Sequence, residues 1–132
     1  MKFRNFKIVL SLATLLAFAI VVQQLQAANE LDVKQAFSMS KQGALLLDVR
    51  EESEYVEVHA QNAKLIPLGQ LPSRLNEIIS YKDKPILVVC RSGRRSAKAV
   101  TLLQDAGFSQ VSNVGGGMNA WERAELEVIR AH

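Results

Sequence analysis

The chain has 132 residues, 48% of them apolar and 22% charged, which allows one domain with a buried core. Its formal charge of +3 resides in Lys2, Arg4 and Lys7; taking those three from 16 basic residues leaves 13, against 13 acidic ones. The remainder is balanced, so net charge gives no support to nucleic-acid binding, and none is expected.

After the basic start, Ile8 to Val22 is apolar except for Ser11 and Thr14, and small and polar residues follow as Gln23-Gln-Leu-Gln-Ala-Ala28. This order reads as a signal peptide spanning residues 1–27, with cleavage after Ala27 and a domain over residues 28–132. The other reading is an uncut N-terminal membrane anchor, since the run approaches the ~20 residues of a spanning helix. Either way the domain is expected outside the cytoplasm, periplasmic or exported, and held at the inner membrane only if the segment stays uncut.

From Asn29, a residue suited to capping, a helix is predicted, with Asp32 in its first turn and Val33, Ala36 and Phe37 on one face, ending at Gly43. Ala44 to Val49 reads as a buried strand and Glu51 to Val56 as a short acidic helical turn. Leu65 to Leu68 is a short strand. Leu71, Leu75, Ile78 and Ile79 are spaced for a helix face, with Pro72 in its first turn. Pro85-Ile-Leu-Val-Val89 is a buried strand, rich in β-branched residues, that stops at Cys90. A polar loop, Cys90-Arg-Ser-Gly-Arg-Arg-Ser96, then leads into a helix carrying Ala99, Val100, Leu103 and Ala106, closed by Gly107 with Phe108 folding back on Leu103. Val111 to Val114 is the last strand of the series. Gly115-Gly-Gly117 lets backbone pass closely before a helix with Met118 and a core Trp121; its spacing is not that of a dinucleotide site. Alternating strands and helices predict an α/β fold: a small parallel sheet of four or five strands with helices on both faces.

Cys90 is the single cysteine, so it cannot form a disulfide within the chain. It stands where a strand meets a helix start, whose free amides carry partial positive charge, and Arg91, Arg94 and Arg95 follow within five residues. Both features favour thiolate over thiol and predict a reactive sulfur. His59 is read as structural, because a thiolate stabilised in this way needs no base.

Cys90-Arg-Ser-Gly-Arg-Arg-Ser96 resembles the active loop of the rhodanese (sulfurtransferase) family. Leu47-Asp48-Val49-Arg50, Glu54-Tyr55 and Gly115-Gly-Gly-Met-Asn-Ala-Trp121 resemble further family landmarks in the same order. Where the family usually reads Gly-His-Ile-Pro-Gly-Ala, this chain has Val58-His59-Ala60-Gln61-Asn62-Ala63, matching only at His59 and Ala63. The resemblance implies transfer of sulfane sulfur from thiosulfate or a similar small anionic donor to cyanide or a thiol, a protein thiol included, through a persulfide on Cys90. It implies that Arg91, Ser92, Gly93, Arg94, Arg95 and Ser96 bind the anion, with Arg91 and Arg95 as nearer ligands than Arg94, while Asp48 and Arg50 brace the loop. Like charges at ~4 Å repel by about 1 to 4 kcal/mol in partly solvated surroundings, a cost that amides and guanidinium groups can offset. No metal or other cofactor is expected.

Two alternatives remain open. One is a carrier or binding module that holds persulfide sulfur with little turnover of its own. The other is phosphatase or arsenate reductase chemistry, whose cysteine loop places arginine six residues after the cysteine; that position holds Ser96, with Arg95 one residue early.

Overall fold

The computed structural model describes residues 11–21 and 29–132. The expected cleavage point after Ala27 and the basic start lie outside the described residues. Residues 11–21 form an exposed helix, α1, and no helix among the described residues is long and apolar enough to cross a membrane.

The remaining elements, in chain order, are β1 (Glu30–Leu31), α2 (Val33–Lys41), β2 (Leu45–Asp48), α3 (Glu52–Glu57), β3 (Val58–Ala60) and β4 (Lys64–Leu65). Two 3-10 segments, Leu68–Ser73 and Leu75–Tyr81, precede β5 (Ile86–Val89), α4 (Arg94–Asp105), β6 (Val111–Val114), α5 (Gly117–Arg123) and β7 (Val128–Arg130). Five strands form a parallel sheet in the order β1-β6-β5-β2-β4, and β3 pairs antiparallel with β7 in a small second sheet.

The central strands are apolar on both faces because both faces are covered. Leu45, Leu47, Ile86 and Val88 point with Ala99, Val100 and Leu103 of α4 and with Leu71 and Ile78 of the 3-10 segments into one core. Leu46, Leu87 and Val89 point the other way, against Val33 and Ala36 of α2 and Met118 and Trp121 of α5. Each such fully buried Leu, Ile or Val side chain contributes about 1.5–3 kcal/mol relative to exposure. Trp121 is buried, stacks edge-on against Phe37 at 5.9 Å and donates its indole N–H to the Glu127 carbonyl.

The α/β architecture with a five-stranded parallel sheet and helices on both faces agrees with the expectation. Two local readings are corrected. The first long helix is capped by Asp32, which accepts from the Lys34 and Gln35 amides, while Gln35 returns a bond to the cap. Asn29 therefore lies before the short edge strand β1, where its carbonyl accepts from the Asn113 amide. The stretch from Leu71 to Ile79 forms two 3-10 segments instead of an α-helix, and Ile79 is exposed. The antiparallel pairing of β3 with β7 joins segments about 70 residues apart and has no local signal in the sequence. His59 lies in β3, stacks on Tyr55 at 3.8 Å and makes a 2.7 Å hydrogen bond between its Nδ1 and the Tyr55 carbonyl, which suits the structural reading.

Candidate active site

Parallel strands that end together leave a crevice at their carboxyl ends, and here Asp48 and Val89 are partners in register at the ends of β2 and β5. Cys90 follows directly. The loop after it turns at Gly93, whose φ of 102° lies in the left-handed region, and enters α4 at Arg94. The Gly93 amide thereby points back at the cysteine, 3.1 Å from Sγ. The first turn of α4 adds Ser96, buried, with its hydroxyl 3.3 Å from the same sulfur.

The loop is fastened from below by α5. The Met118 and Asn119 amides donate to the carbonyls of Cys90 (2.7 Å) and Arg91 (3.0 Å). This approach requires glycine at 117: a Cβ there would overlap the Cys90 carbonyl oxygen and lie 2.7 Å from the Arg91 carbonyl, and φ is +55°. The close passage expected of the glycine run is thus a contact between this glycine and the cysteine loop itself.

Burial of Cys90 disfavours its charged form, but hydrogen bonds from the Ser96 hydroxyl and from the amides of Ser96, Gly93 and Ser92 outweigh it and hold the thiol below its ordinary pKa. Cys90 is 1% exposed, so only an atom brought into the loop can reach the sulfur.

The arginines are placed differently from one another. Arg95 donates two hydrogen bonds to Glu54, at 2.7 and 2.9 Å, and Arg91 donates a third at 3.2 Å. Chiefly because of the Arg95 hydrogen bonds, the Glu54 carboxyl is lowered to a pKa of about 2. Glu54 also accepts from the Glu51 amide at 3.0 Å at the start of α3. It therefore joins α3, the cysteine loop and the first turn of α4. Arg94 is exposed and, with Ser92, Arg95 and Lys98, lines an open depression of about 500 Å³. No carboxylate among the described residues pairs with Arg94 or Lys98.

Asp48 and Arg50 form a buried ion pair, Arg50 donating from Nε at 3.0 Å and from Nη2 at 2.8 Å to the two carboxylate oxygens. Arg50 also donates to the Val58 carbonyl at 2.7 Å, tying the end of β2 to β3. The pair lies beside the strand end that launches Cys90, not in the loop.

Two residues of this arrangement do not stand out as site residues in the sequence. In the sequence Glu54 belongs only to an acidic turn and a landmark, although Glu51 and Glu54 have the spacing of a capping pair. Asn113, on β6, accepts from the Ser96 hydroxyl at 2.6 Å and donates to the Gly93 carbonyl at 3.1 Å. Its only signal in the sequence is an amide residue in a short strand that begins and ends on valine, Val111-Ser-Asn-Val114.

A family described as Rhodanese-like domain matches residues 32–124. The thiosulfate sulfurtransferase GlpE of Haemophilus influenzae is 32% identical over 104 residues, covering 79% of this chain and 97% of that protein. A sulfurtransferase of Allochromatium vinosum is 35% identical over 85 residues, 64% of this chain and 78% of that one. Among solved structures, the polysulfide-sulfur transferase homodimer of Wolinella succinogenes is similar with a TM-score of 0.67 and 28% identity, over 84% of this chain and 88% of that chain.

Proposed function

The chain belongs to the rhodanese-like domain family, and from that premise we propose that it is a sulfurtransferase whose Cys90 carries sulfane sulfur from a small anionic donor to a thiophilic acceptor. The observation that carries this reading is the convergence of the Gly93 amide and the Ser96 hydroxyl on one buried sulfur. With thiosulfate as donor, the Cys90 thiolate attacks the outer sulfur, the sulfur–sulfur bond of the donor breaks, and sulfite leaves with the electron pair. The product is a persulfide. Cyanide or a thiolate then attacks its outer sulfur, and Cys90 departs as thiolate; a lowered pKa aids this second step while reducing nucleophilicity in the first.

Arg91, Ser92, Gly93, Arg94, Arg95 and Ser96 are proposed to bind the anion. The depression lined by Arg94 and Lys98 supports Arg94 as a direct contact, while the bonds of Arg91 and Arg95 to Glu54 support a role in shaping the loop. Asp48 and Arg50 are proposed to support the strand end beneath it.

The test is mass spectrometry of the intact protein after thiosulfate treatment. A gain of one sulfur atom that cyanide removes as thiocyanate is expected, and its absence would overturn the proposal. A carrier role, in which sulfur is held but turned over slowly without a protein partner, is the second reading. It is supported by a 41% identical stretch of 76 residues in a putative sulfur carrier protein of Bacillus subtilis, of which this chain spans 40%.

We also propose that the domain, residues 28–132, acts outside the cytoplasm. Support comes from Lys2, Arg4 and Lys7 ahead of the apolar run Ile8 to Val22. Determining the N-terminal residue of the protein recovered from cell fractions tests it: Ala28 in the periplasm is expected, and an intact chain in the cytoplasm would contradict it.

A further inference from the structure

The Ser96 hydroxyl has two acceptors and one hydrogen. Asn113 Oδ1 is 2.6 Å from it and Cys90 Sγ is 3.3 Å away, and Ser96 is fully buried, so water supplies no other partner. Asn113 cannot present its other side, because its Nδ2 donates to the Gly93 carbonyl at 3.1 Å. We propose that Asn113 is a positioning residue that holds the Ser96 hydroxyl hydrogen away from Cys90 while the sulfur is neutral and yields it when the sulfur becomes anionic.

The physical reason is the ranking of acceptors. Against a neutral thiol or persulfide sulfur, the amide oxygen is the better acceptor and the nearer one. Against a thiolate, the charge-assisted bond prevails and the hydrogen swings to Sγ. That swing leaves the Asn113 oxygen, in a residue only 8% exposed, without its donor, which opposes ionisation. Asn113 therefore partly cancels what Ser96 gives the thiolate. In the proposed cycle, Sγ surrenders its charge when it bonds to the second sulfur, and the hydrogen returns to Asn113, so the amide favours the sulfur-loaded form. This consequence rests on the sulfurtransferase reading; the hydroxyl switch does not.

The experiment is a pH titration of thiolate absorbance in the free protein, using wild type, Asn113→Ala, Ser96→Ala and the double variant. Asn113→Ala is expected to shift the transition to lower pH, giving about threefold more thiolate or greater at a pH below both transitions. Ser96→Ala shifts it upward, and in that background Asn113→Ala adds no downward shift. An upward shift or none in Asn113→Ala, or the same displacement in both backgrounds, would overturn the proposal, because a residue that only supports the Gly93 carbonyl would act irrespective of the serine. Should the alanine variant fail to fold, Asn113→Leu, similar in shape and without an acceptor, gives the same reading. No sulfur donor is used, so a failed shift and a failed persulfide assay are separate results.

Discussion

Glu54 and Arg95, 41 positions apart in the sequence, are joined by two hydrogen bonds of 2.7 and 2.9 Å. The carboxylate end of that pair also receives Arg91 and the Glu51 amide. One acidic side chain thus holds the cysteine loop against α3 and α4.

The pH dependence of stability follows from this clamp. The Glu54 carboxyl is lowered from an ordinary value of 4.5 to about 2, so its contribution is fully present above the ordinary value and is lost as pH falls from there through about 2. In urea unfolding at a series of pH values, Glu54→Gln is expected to be less stable than wild type at neutral pH, with the gap closing over that acid range. A gap that stayed constant with pH would show that the carboxylate charge is not what matters. Glu77, also lowered to about 2 by its Arg74 hydrogen bond, titrates equally in both proteins and drops out of the difference.

Arg50 and Cys90 separate support from chemistry. Arg50→Ala leaves Asp48 buried without its partner, a loss of about 3–5 kcal/mol, and a marked fall in melting temperature is expected. Activity of the folded fraction should fall far less than in Cys90→Ser, which retains the fold and forms no persulfide. Equal activity losses in the two variants would assign Arg50 to the reaction itself.

Gly117 and Gly69 give a paired test of the close backbone approach. Gly117→Ala places a methyl group onto the Cys90 carbonyl at a positive φ, whereas a Cβ at Gly69 meets nothing within 4 Å. Overpacking of this kind costs about 1–3 kcal/mol. Gly117→Ala is therefore expected to lose stability and transfer sulfur more slowly, and Gly69→Ala to resemble wild type in both. A tolerated Gly117→Ala would mean that the loop does not rest on α5.

The sequence made the site legible where the signal was local. The apolar run from Pro85 to Val89, the lone Cys90 and the glycine three residues on define strand, turn and helix within one short stretch. What stayed hidden is long-range. Glu30 and Leu31 form only a two-residue strand, too short for any periodicity, and are recognisable only by pairing with Asn113 and Val114. The spacing of Leu71, Leu75 and Ile78 suits an α-helix, yet the chain winds as 3-10 turns around Pro72, burying Leu71 and Ile78 and leaving Ile79 outside. Glu54 and Asn113 reach the loop from 41 and 17 residues away, and no motif of a single chain links them to Ser96 or Arg95. The arginines illustrate the same limit. Proximity along the chain groups them around the sulfur, whereas the structure turns two of them toward a carboxylate, so that amides and a hydroxyl hydrogen-bond the sulfur while Arg95 acts on it only through its charge.

The most direct measurement is the ionisation of Cys90 itself, followed by thiolate absorbance against pH and by the rate of alkylation at the same pH values. The account expects a midpoint below that of an ordinary thiol, about 8.5, that moves upward in Ser96→Ala, with the alkylation rate following the same lowered midpoint. A midpoint at or above the ordinary value, with a sulfur unreactive toward alkylating agents and thiosulfate alike, would contradict it.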